Sequence, residues 1–199
     1  MEDVRAAYDA VAAVYAEMFS GVLDVLPLER AVLGAFAELV RGPVADVGCG
    51  PGHVTAHLAA LGVEAFGIDL SPEMVGIARR AHPGLRFEVG TMTALEVEDG
   101  VLGGVLAFYS IIHLPPGEVA GVFGEFARVL APGGYLLIGF FAGDESAFDH
   151  KVAVAYRWSV DRLVELLRDK GFVEVARMVR EPYEGERPFQ QGQLLVRKG

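Results

Sequence analysis

The sequence predicts an α/β fold: a doubly wound, mostly parallel seven-stranded sheet with helices on both faces and an antiparallel C-terminal edge hairpin. Three observations carry this reading. Short apolar runs alternate with segments of helical period along most of the chain. The first of these runs passes through three alternating glycines, Gly48, Gly50 and Gly52, straight into a helical pattern. The last two strand-like runs have only a charged stretch between them, so they pair as a hairpin.

Taken in order, residues 3–18 read as a helix, with Val4, Ala7, Tyr8, Val11, Val14, Tyr15 and Met18 on a period near 3.6 and Asp3 suited to its N-cap. Tyr8 and Tyr15 stand about two turns apart and share a face. A second helix runs from Pro27 to Val40, with proline at a starting position, and Arg41-Gly42-Pro43 ends it. The first strand covers 44–48, and the helix after the glycine turn reaches Leu61. Val63 to Ile68 is the second strand, and Ser71-Pro72-Glu73 opens a helix to Ala81.

Leu85 to Gly90 alternates as a third strand. Val101 to Tyr109 is the fourth, and Glu118 to Leu130 is a helix with Val119, Val122, Phe123, Phe126 and Val129 inward. Ala131-Pro132-Gly133-Gly134 reads as a turn into a fully buried fifth strand, Tyr135 to Phe141. Residues 142–158 lose all period and read as a lid rich in charged and aromatic side chains. Ser159 caps a helix to Lys170, and Phe172–Val179 with Gln193–Val196 make the closing hairpin.

Composition narrows the partners. A chain of 199 residues fits one domain, and 52% apolar residues with mean hydropathy +0.36 exclude global disorder. The net charge of −10 repels phosphate backbones, so no nucleic acid is expected. Cys49, the single cysteine, cannot form an internal disulfide, which suits a reducing cytoplasm. No membrane association is expected either, because no apolar run reaches spanning length. The organisation expected is one domain, 1–199: a helical cap at 1–42, a cofactor-binding core at 43–141, the lid at 142–158, and a helix with hairpin at 159–199. Monomer and homodimer both stay open.

The chemistry gathers at the glycine turn. Glycines there allow positive φ and let backbone approach a ligand that a Cβ would hold away. The following helix start presents free N–H groups and a partial positive charge, which suits an anionic or carboxylate-bearing cofactor. The spacing is not the dinucleotide fingerprint, whose third glycine would fall where His53 stands. Gly67-Ile68-Asp69-Leu70 then places an acid at the second strand's tip, roughly 20 residues after the first glycine, where it can accept both ribose hydroxyls.

The pattern acid-x-Gly-x-Gly-x-Gly over Asp46–Gly52, together with Asp69 and the Leu130-x-Pro-Gly-Gly stretch, resembles the class I S-adenosylmethionine-dependent methyltransferases over about residues 40–199. The resemblance implies S-adenosylmethionine as cofactor, held by Tyr8, Asp46, Gly48, Cys49, Gly50, Gly52, Asp69, Leu70, Thr91, Met92, Tyr109 and Ser110. Thr91 departs from the family, which often has an acid there to bind the adenine amine. An N-terminal helix often serves the family as a lid, which makes Tyr8 a hydroxyl contact as well as a core aromatic.

The acceptor is expected to be a small molecule. No Asn/Asp-Pro-Pro-Tyr follows the fourth strand, which disfavours nucleobase and amide nitrogen as acceptor, and no acid sits on Leu106–Tyr109 to hold a divalent metal. Tyr109, Ile112, His113, Phe141, Tyr156 and Trp158 are the expected substrate residues, with Tyr156 and Trp158 equally readable as core beneath the lid. His113, and after it His150, are the candidate bases. Two other functions share these motifs: a nicotinamide-dependent oxidoreductase, and a protein that binds S-adenosylmethionine without transferring its methyl group.

Overall fold

The computed structural model describes residues 2–199. Helices α1 (Glu2–Phe19) and α2 (Pro27–Leu39) precede β1 (Val44–Val47), α3 (His53–Ala60), β2 (Ala65–Asp69), α4 (Pro72–Ala81), β3 (Phe87–Val89) and β4 (Leu102–Phe108). There follow α5 (Pro116–Val129), β5 (Leu130–Phe141), β6 (Ala147–Asp149), β7 (Val154–Tyr156), α6 (Val160–Arg168), β8 (Phe172–Arg180) and β9 (Gln191–Lys198). A short 3-10 turn, Ile111–His113, leads out of β4.

Seven strands form one sheet in the order β3-β2-β1-β4-β5-β9-β8, with β1 to β5 parallel and β9 antiparallel to both neighbours. The expected hairpin is therefore present, but its second strand lies inside the sheet and its first forms the edge. Burial explains the choice. Gln191–Val196 are buried throughout, whereas β8 exposes Val173, Val175 and Val179, as an edge strand can. Strand order reverses between β1 and β4, which opens a cleft at their carboxyl ends.

Apolar layers cover both faces. On one, α5 and α6 pack Val122, Phe123, Phe126, Leu163 and Leu167 onto Val105, Leu136 and Ile138. On the other, α2 and α3 bring Leu33, Phe36, Val54 and Leu58 against Val44, Leu106 and Leu137. Each of these side chains is nearly or fully excluded from solvent, and each is worth roughly 1.5–3 kcal/mol of transfer free energy. Local signals place the helix starts: Ser71 accepts the Met74 amide at 3.1 Å with Pro72 in the first turn, and Ser159 accepts that of Arg162 at 3.3 Å.

Two expectations need correction. The Ala131–Gly134 stretch is not a turn before β5 but part of it, because Leu130 already pairs with Leu102 ahead of an irregularity in the ladder. Residues 142–158 are not patternless: β6 and β7 form a small hairpin, and Trp158 N–H donates to the Phe141 carbonyl at 2.7 Å. Trp158 itself is 0% exposed in the core beneath α5 and α6, and lines neither of the two cavities over the glycine turn. Its indole anchors the segment's return to the sheet, in the core position that the sequence also allows. Tyr156 packs partly buried on the same core and lines neither of these two cavities. Among the described residues, no helix is long and apolar enough to cross a membrane.

Candidate functional site

The glycine turn runs from β1 into α3 at the carboxyl edge of the sheet, and its glycines do different work. Gly48, Gly50 and Gly52 all have positive φ, at 79°, 54° and 83°. A Cβ on Gly48 would lie 2.2 Å from the Ser110 Cβ, and one on Gly52 would lie 2.7 Å from the Phe87 ring. At Gly50 the nearest atom would be Tyr15 Cε1 at 4.0 Å, so only this glycine turns its open side to the cleft. Gly52, expected as a cofactor contact, lines neither cavity and serves the packing of α3.

Asp69, at the tip of β2, is fastened to that turn. Its Oδ2 accepts the Gly50 amide at 2.8 Å and its Oδ1 accepts the Ser71 amide at 2.8 Å. Burial raises its pKa, opposed by these amides and reinforced by nearby Asp9. Each oxygen keeps a further acceptor site, so the carboxylate can take a vicinal diol without losing either amide. Asp46 lies deeper. It is 1% exposed, accepts the Thr55 hydroxyl at 2.6 Å, and burial lifts its pKa to about 7.

Two cavities meet over the turn. The smaller, about 90 Å³, is lined by Asp69, Leu70, Met92, Ser110 and His113. The larger, about 470 Å³, is lined by Asp46, Cys49, Ile112, Phe141 and His150 among mostly apolar neighbours. Tyr8, Tyr15, Gly48, Gly50, Phe108 and Tyr109 belong to both, and so mark the junction. Tyr109 sits there with φ 56°, a left-handed backbone rarely held by a bulky residue. Thr91 lines neither cavity, since its hydroxyl pairs with that of Thr93 at 2.8 Å. Met92, by contrast, lines the smaller cavity.

Helix α1 crosses the cleft. Its Asp9 accepts the Ser71 hydroxyl, and its Tyr8 and Tyr15 rings meet edge-on at 5.6 Å. Tyr8 Oη lies 2.8 Å from His113 Nε2, while His113 Nδ1 lies 2.8 Å from the Val154 carbonyl oxygen. A carbonyl can only accept, so Nδ1 carries the proton, and Nε2 accepts from the Tyr8 hydroxyl. One ring thus ties α1 to β7. Burial lowers the His113 pKa against the pull of that carbonyl. His113 lines the smaller cavity only, whereas His150 lines the larger one, 5.3 Å away ring to ring.

His150 is held neutral, its pKa lowered to about 4, by burial first and His113 second. The unfolded chain takes up a proton near 6.5 that the folded chain refuses, so this residue costs stability as pH falls from 6.5 toward 4. Asp46 works with the opposite sign, so a difference measurement is needed. His150→Asn should lose less stability between pH 7 and pH 5 than the parent in parallel urea titrations. An equal or larger loss contradicts the neutral assignment.

The larger cavity is also lined by a charged cluster that the sequence does not signal. Arg180, 8% exposed, pairs with Glu29, 0% exposed, at 2.6 Å, and with Glu186 at 2.6 and 2.8 Å. Glu29 reads in the sequence as an ordinary first-turn acid of α2, and Arg180 as part of the charged stretch before β9. No local signal joins residues so far apart.

Strand order, glycine turn and strand-tip acid together define a class I, Rossmann-like methyltransferase fold. Residues 44–134, a little under half of the chain, match the methyltransferase domain family. It is 34% identical over 146 residues to the demethylmenaquinone methyltransferase of Beutenbergia cavernae, covering 70% of this chain and 58% of that one. It is 38% identical over 113 residues to the trans-aconitate 2-methyltransferase of Methylobacterium nodulans, covering 56% and 41%. The chain thus spans about half the length of such curated relatives. In fold it resembles the magnesium protoporphyrin IX methyltransferase of Synechocystis with bound SAH, at TM-score 0.76 and 19% identity over 98% of each chain.

Proposed function

We propose that the protein transfers a methyl group from S-adenosylmethionine to a small-molecule acceptor, without a metal. The observation that carries this is the pair of cavities joined across Gly48, Gly50 and Tyr109. One has a diol-binding carboxylate, and the other is roomy and apolar. Asp69 would hold the ribose, the Gly50 side of the turn the amino-acid end, and Met92 and Leu70 the base. When bound, the cofactor supplies an electrophilic methyl on a sulfonium.

The protein's own part is alignment and exclusion of water, which in well-aligned cases contributes on the order of 7–11 kcal/mol. Tyr109, Ile112 and Phe141 wall the acceptor, and α1 closes the cleft from above. Base assistance falls to His113 Nε2, whose lone pair the Tyr8 hydroxyl now fills. An acceptor hydroxyl displacing Tyr8 would meet the same lone pair. His150, neutral and on the acceptor side, is the second candidate. The activities of two relatives, a demethylmenaquinone methyltransferase and a trans-aconitate 2-methyltransferase, support a small acceptor rather than a macromolecule.

Incubating the protein with S-adenosylmethionine and a metabolite extract tests the reading. One compound should gain a single methylene mass while SAH accumulates stoichiometrically. SAH binding without any methylated product would favour a binding protein that transfers nothing.

Asp69→Ala bears on the cofactor half. It should weaken S-adenosylmethionine binding by roughly 2–3 kcal/mol, the loss of a charge-assisted pair of hydrogen bonds. Unchanged affinity by calorimetry in a folded variant would remove Asp69 from the site.

A further inference from the structure

The Glu29–Arg180–Glu186 cluster has no place in cofactor binding, yet all three residues line the larger cavity. An arginine in an acceptor pocket ordinarily suggests a carboxylate substrate. Here that reading fails on the geometry. Arg180 Nε and one terminal nitrogen each lie 2.6 Å from Glu29 Oε1. Its terminal nitrogens also donate to the two Glu186 oxygens, and one of them to the Glu181 carbonyl at 3.0 Å. All three nitrogens are engaged, so the guanidinium has nothing left for a ligand.

Glu29 is the member with capacity to spare. Its Oε2 is buried with no hydrogen-bond partner among the described residues. Two carboxylates against one guanidinium leave this part of the cavity with net negative charge. A buried ion pair is not in itself a gain over apolar packing, and an unpartnered buried carboxylate oxygen is a cost. Both make sense if a ligand supplies the missing donor. Most of the remaining walls, among them Val11, Phe19, Leu23, Ile112 and Phe141, are apolar. The cavity's other cations, Lys151 and Arg187, stand on the β6–β7 side, where Arg187 donates to the Asp149 carbonyl at 3.0 Å.

We propose that Glu29, fixed by Arg180, reads the methyl acceptor: Oε2 accepts a hydrogen bond from an O–H or N–H group on an otherwise apolar, ring-sized molecule. Arg180 is then a positioning residue that holds Glu29 and never touches the ligand. The acceptor class is a neutral or cationic donor-bearing compound, and polycarboxylates are excluded from this part of the cavity. This inference rests on the larger cavity being the acceptor site.

The test titrates 2-naphthol, 2-naphthylmethylamine, 2-methylnaphthalene and 2-naphthoate into the parent protein and into Glu29→Gln, with SAH present at a concentration whose own binding is measured first. In the parent, naphthol or the amine should bind about tenfold more tightly than 2-methylnaphthalene, and naphthoate most weakly. Whichever of the two donors leads tells hydroxyl from ammonium recognition. Glu29→Gln, which keeps size and one hydrogen-bonding oxygen, should erase the preference for a donor and relieve the penalty on naphthoate.

Tightest binding of naphthoate by the parent overturns the proposal, as does equal or absent binding of all four probes. So does an unchanged ranking in the variant. The ranking in the parent decides alone if Glu29→Gln fails to fold. SAH binding separates the two claims: its absence with the expected probe ranking rejects the cofactor reading and leaves Glu29 standing.

Discussion

Gly50→Val should abolish S-adenosylmethionine binding, with affinity down at least ~100-fold, about 2.7 kcal/mol, while the far-UV CD spectrum stays near that of the parent. The backbone at Gly50 holds φ 54°, where a β-branched residue is strained by roughly 1–2 kcal/mol. That strain is tolerable, because the new Cβ meets no protein atom nearer than 4.0 Å. The isopropyl group instead projects into the junction of the two cavities. It also disturbs the amide that holds Asp69 Oδ2, so cofactor binding loses both space and its diol acceptor. Gly48 and Gly52 should behave differently. There a Cβ strikes Ser110 or Phe87, and alanine should damage the fold before it damages binding. Calorimetry alongside CD checks the contrast, and a Gly50→Val variant that binds at parental strength would show that this glycine serves only the turn.

Trp158→Ala should destabilise the fold by roughly 3–5 kcal/mol, because a fully buried indole leaves a cavity its neighbours cannot close. For a chain of this size that is a fall in melting temperature of about 10 °C. The backbone around it is fastened on both sides: Trp158 N–H donates to Phe141, and the Trp158 carbonyl accepts from Gly143 at 3.0 Å. Phenylalanine should cost less than alanine. It retains most of the apolar contact and removes an indole N–H that has no partner among the described residues. Turnover per folded molecule should change little in either variant. A normal melting temperature with impaired turnover would place Trp158 in the substrate site.

These two residues also show how far the sequence could be read. The glycine turn is legible because backbone chemistry confines it: three glycines at alternate positions between an apolar run and a helix admit few conformations. Asp69 follows from spacing, and the structure adds what spacing cannot, that its two oxygens are held by amides from the turn and from α4. Helix boundaries come through well where Ser71 and Ser159 cap them.

Segment 142–158 shows no pattern in the sequence because its strands are only three residues long, too short to display a period of two. Its aromatics divide between two roles that composition does not separate. His150 reaches the cavity from the hairpin turn, while Trp158 turns back into the core. Thr91 carried a family expectation onto a side chain that bonds its own loop. The Tyr8–His113–Val154 chain and the Glu29–Arg180 pair were out of reach for a different reason. Each is made by elements far apart in sequence, and only the sheet's topology brings them together.

The central claim is that the joined cavities accept a sulfonium nucleoside rather than a dinucleotide. Isothermal titration of the parent protein with SAH and, separately, with NADH tests it most directly. One SAH per chain should bind with a measurable heat, and NADH should give none. Saturable binding of NADH, with no heat from SAH, would contradict the assignment and return the glycine turn to the oxidoreductase reading.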